Sequence, residues 1–316
     1  MFNYDVIVVG SGAAGCSAAI YATRFNLKTL MFGGTMPGGL ITEASDVENY
    51  PGYLTINGMQ LADNFIQQAV ALGAEHKVEA VKSIGKKIEA GKEVFEVDTG
   101  TAVYTSSSVI LAMGTHHRKL GVLGEVEFAG RGVSYCATCD GPFYKGKTVV
   151  VVGGGNSAVE AAQDLSVHAQ KVYIVYRSNL KAAPIYIDQL RAKKNVVEVA
   201  GANVIEIKGS VNVTSVVLDT EFEGSKEIIT NGAFIQIGYI PKNDIAKAMG
   251  AEITKYGYVK VDAGMGTNIK GLFCAGDLNN SSNMFHQQVT SAADGAIAAQ
   301  SVYRYLNGLD YLIEAE

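Results

Sequence analysis

Cysteine is scarce in this chain: four residues among 316, at positions 16, 136, 139 and 274. That is too few for the cross-linked scaffold of a small secreted domain. A structural zinc site needs four ligands, commonly two Cys pairs or a Cys pair with a spaced His pair. Only Cys136 and Cys139 are paired, and His116-His117 is an adjacent doublet without half-site spacing, so no metal centre is expected. No apolar run approaches membrane-spanning length. No basic leader precedes the first strand-like segment, residues 4–9. Positive charge has no surplus: 26 Lys and Arg stand against 31 Asp and Glu, for a net charge of −5. This balance argues against nucleic acid or a membrane surface as partner. What remains is a cytoplasmic enzyme, with 48% hydrophobic residues to build substantial cores.

Against this background the run Cys136-Ala137-Thr138-Cys139-Asp140 stands out. Two thiols at this spacing can close a disulfide, and one of them can have its pKa lowered into the reactive range. Residues 6–9, Val-Ile-Val-Val, form a β-branched run of the kind buried on both faces of a parallel sheet. Gly10-Ser11-Gly12-Ala13-Ala14-Gly15 follows at once. Residues 148–152 lead in the same way into Gly153-Gly154-Gly155-Asn156-Ser157-Ala158, with Ala158 in place of the third glycine. A glycine-rich turn that ends a strand and opens a helix lets backbone amides approach a pyrophosphate. Either turn alone is also compatible with a tight connection that binds nothing. Two of them beside a cysteine pair predict nucleotide-driven redox chemistry.

The chain then returns to its beginning. Residues 272–277 read as a short buried strand ending in Gly276-Asp277, and residues 287–305 as an Ala-rich helix. The predicted fold is α/β, with two three-layer Rossmann-like nucleotide-binding domains, the second inserted in the first. The expected segments are 1–115, 116–244 and 245–316, with crossings near residues 112–115 and 238–241. Segments 84–107 and 203–231 alternate apolar and polar residues, which predicts small antiparallel sheets.

Read in order, these motifs resemble a low-molecular-weight thioredoxin reductase, a two-domain FAD-dependent disulfide reductase, over essentially the whole length. The resemblance also takes in Gly38-Gly39, Val47-Glu48-Asn49-Tyr50-Pro51-Gly52 and Gly238-Tyr239-Ile240-Pro241. It implies FAD held by Gly10, Gly12, Ala13, Ala14, Gly15, Gly39, Gly114 and Gly276. Asp277 would meet the ribityl chain, and Asn49 and Gln287 would lie near the isoalloxazine. It implies that Cys139 faces the flavin, that Cys136 attacks the partner's disulfide and that Asp140 relays protons. NAD(P)H would lie at Gly153, Gly155, Asn156, Ser157, Ala158, Arg177 and Lys181. Thioredoxin or a thioredoxin-like protein would be the partner, and the chain would form a homodimer.

Three departures qualify the resemblance. No acid follows residues 29–32, which run into Gly33-Gly34 and leave the adenosine ribose without its usual carboxylate. His286 stands where an arginine often precedes the glutamine. NADPH-using members carry a His-Arg-Arg run and a further Arg after the second strand of the inserted domain; here Tyr176-Arg177-Ser178-Asn179 is followed by Leu180-Lys181. A hydrogen bond to a charged group contributes about 1.5–3 kcal/mol, so losing two weakens binding by roughly a hundredfold or more. Three readings follow. Electrons come from NADPH or NADH; or they come from another donor, such as ferredoxin or a reduced deazaflavin; or the chain is a flavin dithiol oxidase. The intact second glycine turn favours the first.

Overall fold

A β-branched run is stable where both its faces are buried, and residues 6–9 meet that condition. The computed structural model describes residues 3–44, 47–89, 91–282 and 285–312. Val6 and Val8 pack with Ala14, Ala18, Met31, Ile110 and Phe273. Ile7 and Val9 pack on the opposite face with Leu30, Phe32, Val109 and Leu111. The strand Asn3–Val9 therefore lies inside a sheet, parallel to Thr29–Phe32 on one side and to Val103–Leu111 on the other. Glu75–Lys77 extends the sheet beyond Thr29–Phe32, again in parallel.

The far edge of Val103–Leu111 is shared by two partners. Its first residues pair antiparallel with Lys92–Asp98, from Asp98↔Val103 to Phe95↔Ser106. Its last residues pair parallel with Leu272–Cys274. Ser83–Glu89 completes a hairpin with Lys92–Asp98. Segment 84–107 is thus antiparallel as predicted, but it is not a small sheet of its own: it joins the large seven-stranded one. Alternation within a segment reports which face is buried. It carries no information about which strand takes the free edge.

Helices Ala13–Arg24 and Gln288–Leu306 cover one face of this sheet, and their backbones come close. A Cβ built on Gly295 would lie 2.0 Å from the Ala14 carbonyl oxygen and 3.0 Å from the Ala18 nitrogen. No residue larger than glycine fits there without moving one helix.

The chain divides into two compact units, the first running to His116 and resuming at Ile240, the second His117–Tyr239. Residues 240–244, placed by sequence in the inserted segment, go with the first unit. The reason is the helix Asp244–Ala248, whose Ala246 enters the core of Val259 and Leu272. In the second unit five parallel strands run in the order Val196–Ala200, Lys171–Tyr176, Thr148–Val152, Gly232–Ile235, Val133–Ser134. Val149, Val151 and Ile174 face helices Asn156–His168 and Pro184–Arg191 through Val159, Leu165 and Leu190. Val150, Val152 and Val175 face a separate antiparallel sheet through Ile207, Val216 and Leu218. That sheet is Val204–Gly209, Val213–Phe222 and Ser225–Ile229, as the alternation predicted. The architecture is α/β, and the second unit is inserted in the first.

The two crossings, Thr115–His117 and Tyr239–Pro241, pair with each other as a two-stranded sheet. Gly114 and Gly238 precede them with φ of 63° and 94°. A Cβ at either would meet nothing within 4 Å, so the backbone angle, not lack of room, calls for glycine. No described helix is long and apolar enough to cross a membrane.

Overpacking a close helix contact costs about 1–3 kcal/mol. Gly295→Ala is expected near the top of that range, because a backbone carbonyl and not a flexible side chain blocks the new methyl. Gly85→Ala, where a Cβ would meet nothing within 4 Å, serves as the control and should change stability little. Urea unfolding of both variants checks this; equal midpoints would refute the close-contact argument.

Candidate active site

The first glycine turn is built by backbone contact. Gly10 sits at φ 118° and donates its N–H to Phe32 O at 2.8 Å. A Cβ at Gly10 would lie 2.2 Å from Ala112 O, and one at Gly15 would lie 1.8 Å from Gly10 O. Gly12 differs: its Cβ would meet only Gly38 O, at 3.6 Å, so it opens onto space. Helix Ala13–Arg24 starts there with no side-chain cap, leaving its first N–H groups for a ligand.

One cavity gathers Gly10, Gly12, Ala13, Ala14, Gly39, Gly114, Gly276 and Asp277 in its wall. Gly15 stands behind Gly10. Asn49 and Gln287 are not in this wall, but they meet each other: Asn49 Nδ2 donates to Gln287 Oε1 at 3.1 Å. Gln287 is in turn held by its own N–H, which donates to Thr290 Oγ1 at 3.0 Å.

Several residues that sequence reasoning missed hold this wall in place. Gly38 N donates to Ser11 Oγ at 3.2 Å, joining the two glycine loops. Ser291 Oγ donates to the Asp277 carboxylate at 2.7 Å. Asp294, only 4% exposed, accepts from Gly276 N and Asn279 Nδ2, each at 3.2 Å, and from Ser281 Oγ at 2.7 Å and Ser282 Oγ at 3.0 Å. Its one signal in the sequence is a lone acid inside an Ala-rich helix. Lys242 supplies the single cation among the described residues of the wall.

These features fit an elongated anionic ligand such as FAD. Open space at Gly12, uncapped amides and an anchored carboxylate at Asp277 suit a pyrophosphate and a polyol. The cavity, about 240 Å³, is smaller than ligand pockets generally are, so a whole dinucleotide would extend past it. Two buried nitrogens of this unit, His76 Nε2 and His286 Nε2, have no hydrogen-bond partner among the described residues.

The second glycine turn repeats the first. Gly153, at φ 142°, donates to Val175 O at 2.9 Å, and a Cβ there would lie 2.0 Å from Gln236 O. Its cavity, of about 780 Å³, lies wholly within the second unit and is lined by Gly153, Gly155, Asn156, Ser157, Arg177 and Lys181. Ala158 is fully buried behind it. Arg118 and Lys119 also line the cavity, two cations the sequence reading did not assign. Asn156 is tied down, its Oδ1 accepting from Ala183 N at 2.9 Å. Glu198, on the neighbouring strand, is already engaged: the Tyr176 hydroxyl donates to it at 2.6 Å and Arg191 Nε at 2.7 Å. Burial and then that carboxylate push the Tyr176 phenol up to about 12.

Cys136 is disulfide-bonded, whereas Cys16 and Cys274 are free and buried. The segment is braced from both sides of Cys136. Its N–H donates to Ser134 Oγ at 3.1 Å, and its carbonyl accepts from Asp140 N at 3.2 Å across the one-turn helix Ala137–Asp140. Asp140 is half-buried, and its charge adds to burial in raising the Tyr144 phenol. Tyr135, just before Cys136, donates its hydroxyl to Glu125 at 2.7 Å. Glu125 is 1% exposed and also accepts from Leu120 N at 2.7 Å and Gly121 N at 2.6 Å. Burial, then Glu125, holds the Tyr135 phenol well above its usual range.

Residues 4–298 match the family model for pyridine nucleotide-disulphide oxidoreductases. The chain is 42% identical over 310 residues to a thioredoxin reductase of Treponema pallidum, covering 97% of this chain and 98% of that one. Among solved structures it is similar to a thioredoxin reductase of Lactococcus lactis, with a TM-score of 0.86, 35% identity and coverage of 97% and 100%. A ferredoxin-flavin thioredoxin reductase of Clostridium acetobutylicum is also similar, at TM-score 0.52, 32% identity and coverage of 98% and 99%.

Burial pushes the Cys16 thiol up to about 12 and raises Cys274 well above its usual value. At pH 8 Cys16 is therefore about one part in ten thousand thiolate, the reactive form. Native oxidised protein should take up no iodoacetamide over minutes, and reduced protein should take up two equivalents, at Cys136 and Cys139. Peptide mass mapping reads the sites; rapid labelling at Cys16 or Cys274 in the folded protein would contradict the burial argument.

Proposed function

The chain belongs to the pyridine nucleotide-disulphide oxidoreductase family, and from that premise we propose a thioredoxin-disulfide reductase. Electrons pass by way of FAD to a Cys136–Cys139 disulfide and on to thioredoxin or a similar small protein disulfide. One observation carries the reading: the same chain holds two glycine-turn cavities and a disulfide at Cys136, the braced residue just before the short helix Ala137–Asp140. When bound, FAD would supply a two-electron carrier between a reducing donor and the disulfide.

The chain's own groups divide the work. Amides of residues 12–14 and the helix N-terminus would hold the pyrophosphate. Asp277, fixed by Ser291, would accept a hydrogen bond from a ribityl hydroxyl. The hydrogen-bonded pair Asn49 and Gln287 would set the flavin edge. After reduction, the Cys136 thiolate attacks the partner's disulfide, forming a mixed disulfide and expelling one partner thiolate. Cys139 then attacks Cys136, remaking the internal disulfide and releasing the second partner thiolate. Asp140 serves as the proton carrier for these thiols. Its negative charge disfavours a neighbouring thiolate, so it cannot act by activating one.

For the donor we favour NADPH or NADH at the second cavity, because its turn is intact and Arg118, Lys119, Arg177 and Lys181 line it. The depleted arginine run supports a second reading, donation by ferredoxin or a reduced deazaflavin, and the similarity to the Clostridium acetobutylicum protein favours it. A dithiol oxidase would leave the second cavity without a task. A cytoplasmic homodimer completes the proposal.

Cys136→Ser should still allow the flavin to be reduced while abolishing disulfide transfer to thioredoxin. Full turnover in that variant would remove Cys136 from the mechanism. Anaerobic titration of the oxidised flavin tests the donor. Bleaching by both nicotinamides is expected, weak and with little selectivity for NADPH. Tight NADPH-selective bleaching at micromolar levels would show that the four cations of the cavity wall suffice without the missing arginines. No bleaching by either, with rapid reduction by ferredoxin, would establish the second reading. Ser178, exposed and lining the cavity, is where an arginine can be restored. Ser178→Arg should raise NADPH affinity about tenfold, since a hydrogen bond to a charged group contributes about 1.5–3 kcal/mol.

A further inference from the structure

Gly33 ends the strand Thr29–Phe32, where dinucleotide-binding domains commonly hold an acid that bonds the adenosine ribose. Another polar group occupies that place here. A Cβ built on Gly33 would lie 2.7 Å from His76 Nε2 and 3.0 Å from Ser11 Oγ. The imidazole thus fills the volume that a side chain at position 33 would take. His76 comes from the adjacent strand, in register with Met31, and the neighbouring Gly33 N donates to Lys77 O at 2.8 Å.

His76 Nε2 is buried and without a hydrogen-bond partner among the described residues. An unmet buried polar atom is destabilising, so a nitrogen left in this state beside a binding cavity calls for an explanation. Gly33 and Ser11 both line the first cavity, so the imidazole stands behind a residue that has no side chain to screen it. We propose that His76 replaces the missing carboxylate and hydrogen-bonds the adenosine ribose of FAD through Nε2. The proposal rests on the FAD reading of this cavity. Burial lowers the His76 pKa, which favours the neutral ring at pH 7. Either neutral tautomer serves, because a ribose hydroxyl both donates and accepts.

The test is FAD titration of the apoprotein, followed by quenching of flavin fluorescence. His76→Phe retains the bulk of the ring without its nitrogens, and His76→Ala removes it. Each should weaken FAD binding about three- to tenfold, the span of a net hydrogen bond, while the apoprotein melts near the wild-type temperature. In the Gly33→Glu/His76→Ala double variant the carboxylate gains the space vacated by the imidazole, and affinity should return to within about threefold of wild type. Unchanged affinity in His76→Phe would overturn the proposal, as would a double variant no better than His76→Ala. Wild-type apoprotein that binds no FAD would instead overturn the reading on which the proposal rests.

Discussion

Backbone touching backbone at two strand–helix turns is the constraint on which the rest of the molecule depends. Gly10 abuts the Ala112 carbonyl and Gly153 the Gln236 carbonyl, with room in neither case for a single methyl group. In each unit this contact brings the strand that runs into the glycine against its neighbour and starts a helix directly at the strand's end. It leaves unpaired amides facing a cavity. A sheet buried on both faces, a helix aimed at an anion and a wall with few side chains are consequences of one short-range repulsion.

Charge is then distributed differently around two similar frames. The first cavity has one carboxylate, Asp277, and one cation, Lys242, among its described wall residues, so peptide dipoles dominate there. The second draws Arg118, Lys119, Arg177 and Lys181 to its wall. The redox segment touches the second set at one point, where Lys119 Nζ donates to the Tyr135 hydroxyl at 3.1 Å. It is braced by Glu125, a buried carboxylate whose partners are two backbone N–H groups and the Tyr135 hydroxyl. Hydrogen bonds to a charged acceptor are stronger than neutral ones. They hold Tyr135, and hence the approach to Cys136, to a single geometry.

What could be read from the sequence was local. The runs 6–9 and 149–152 are legible because burial on both faces leaves no polar position in them. The glycine turns are legible because the close contact admits no substitute at Gly10 or Gly153. Partners across the fold were not. Strand Val103–Leu111 splits one edge between Lys92–Asp98 and Leu272–Cys274, a choice no periodicity encodes. Asp294 looks like one polar position in an Ala-rich helix, yet it gathers four donors from Gly276 through Ser282. His76 is brought to Gly33 only by strand register, in which it pairs with Met31, far from it in the chain. The second cavity was only half legible: Arg177 follows its strand directly, but Arg118 and Lys119 arrive from a crossing.

That crossing has a consequence for how such a chain can arise. Thr115–His117 and Tyr239–Pro241 are hydrogen-bonded neighbours, so the inserted unit enters and leaves through points one strand spacing apart, about 5 Å. A segment whose ends meet can be gained or lost without stretching its host, much as a bead threads onto a closed loop. The inserted unit is in this sense a cassette. Its strands, its glycine turn and its cysteine pair travel together, and ancestry by duplication and insertion of one nucleotide-binding module needs no rearrangement of the sheet that received it.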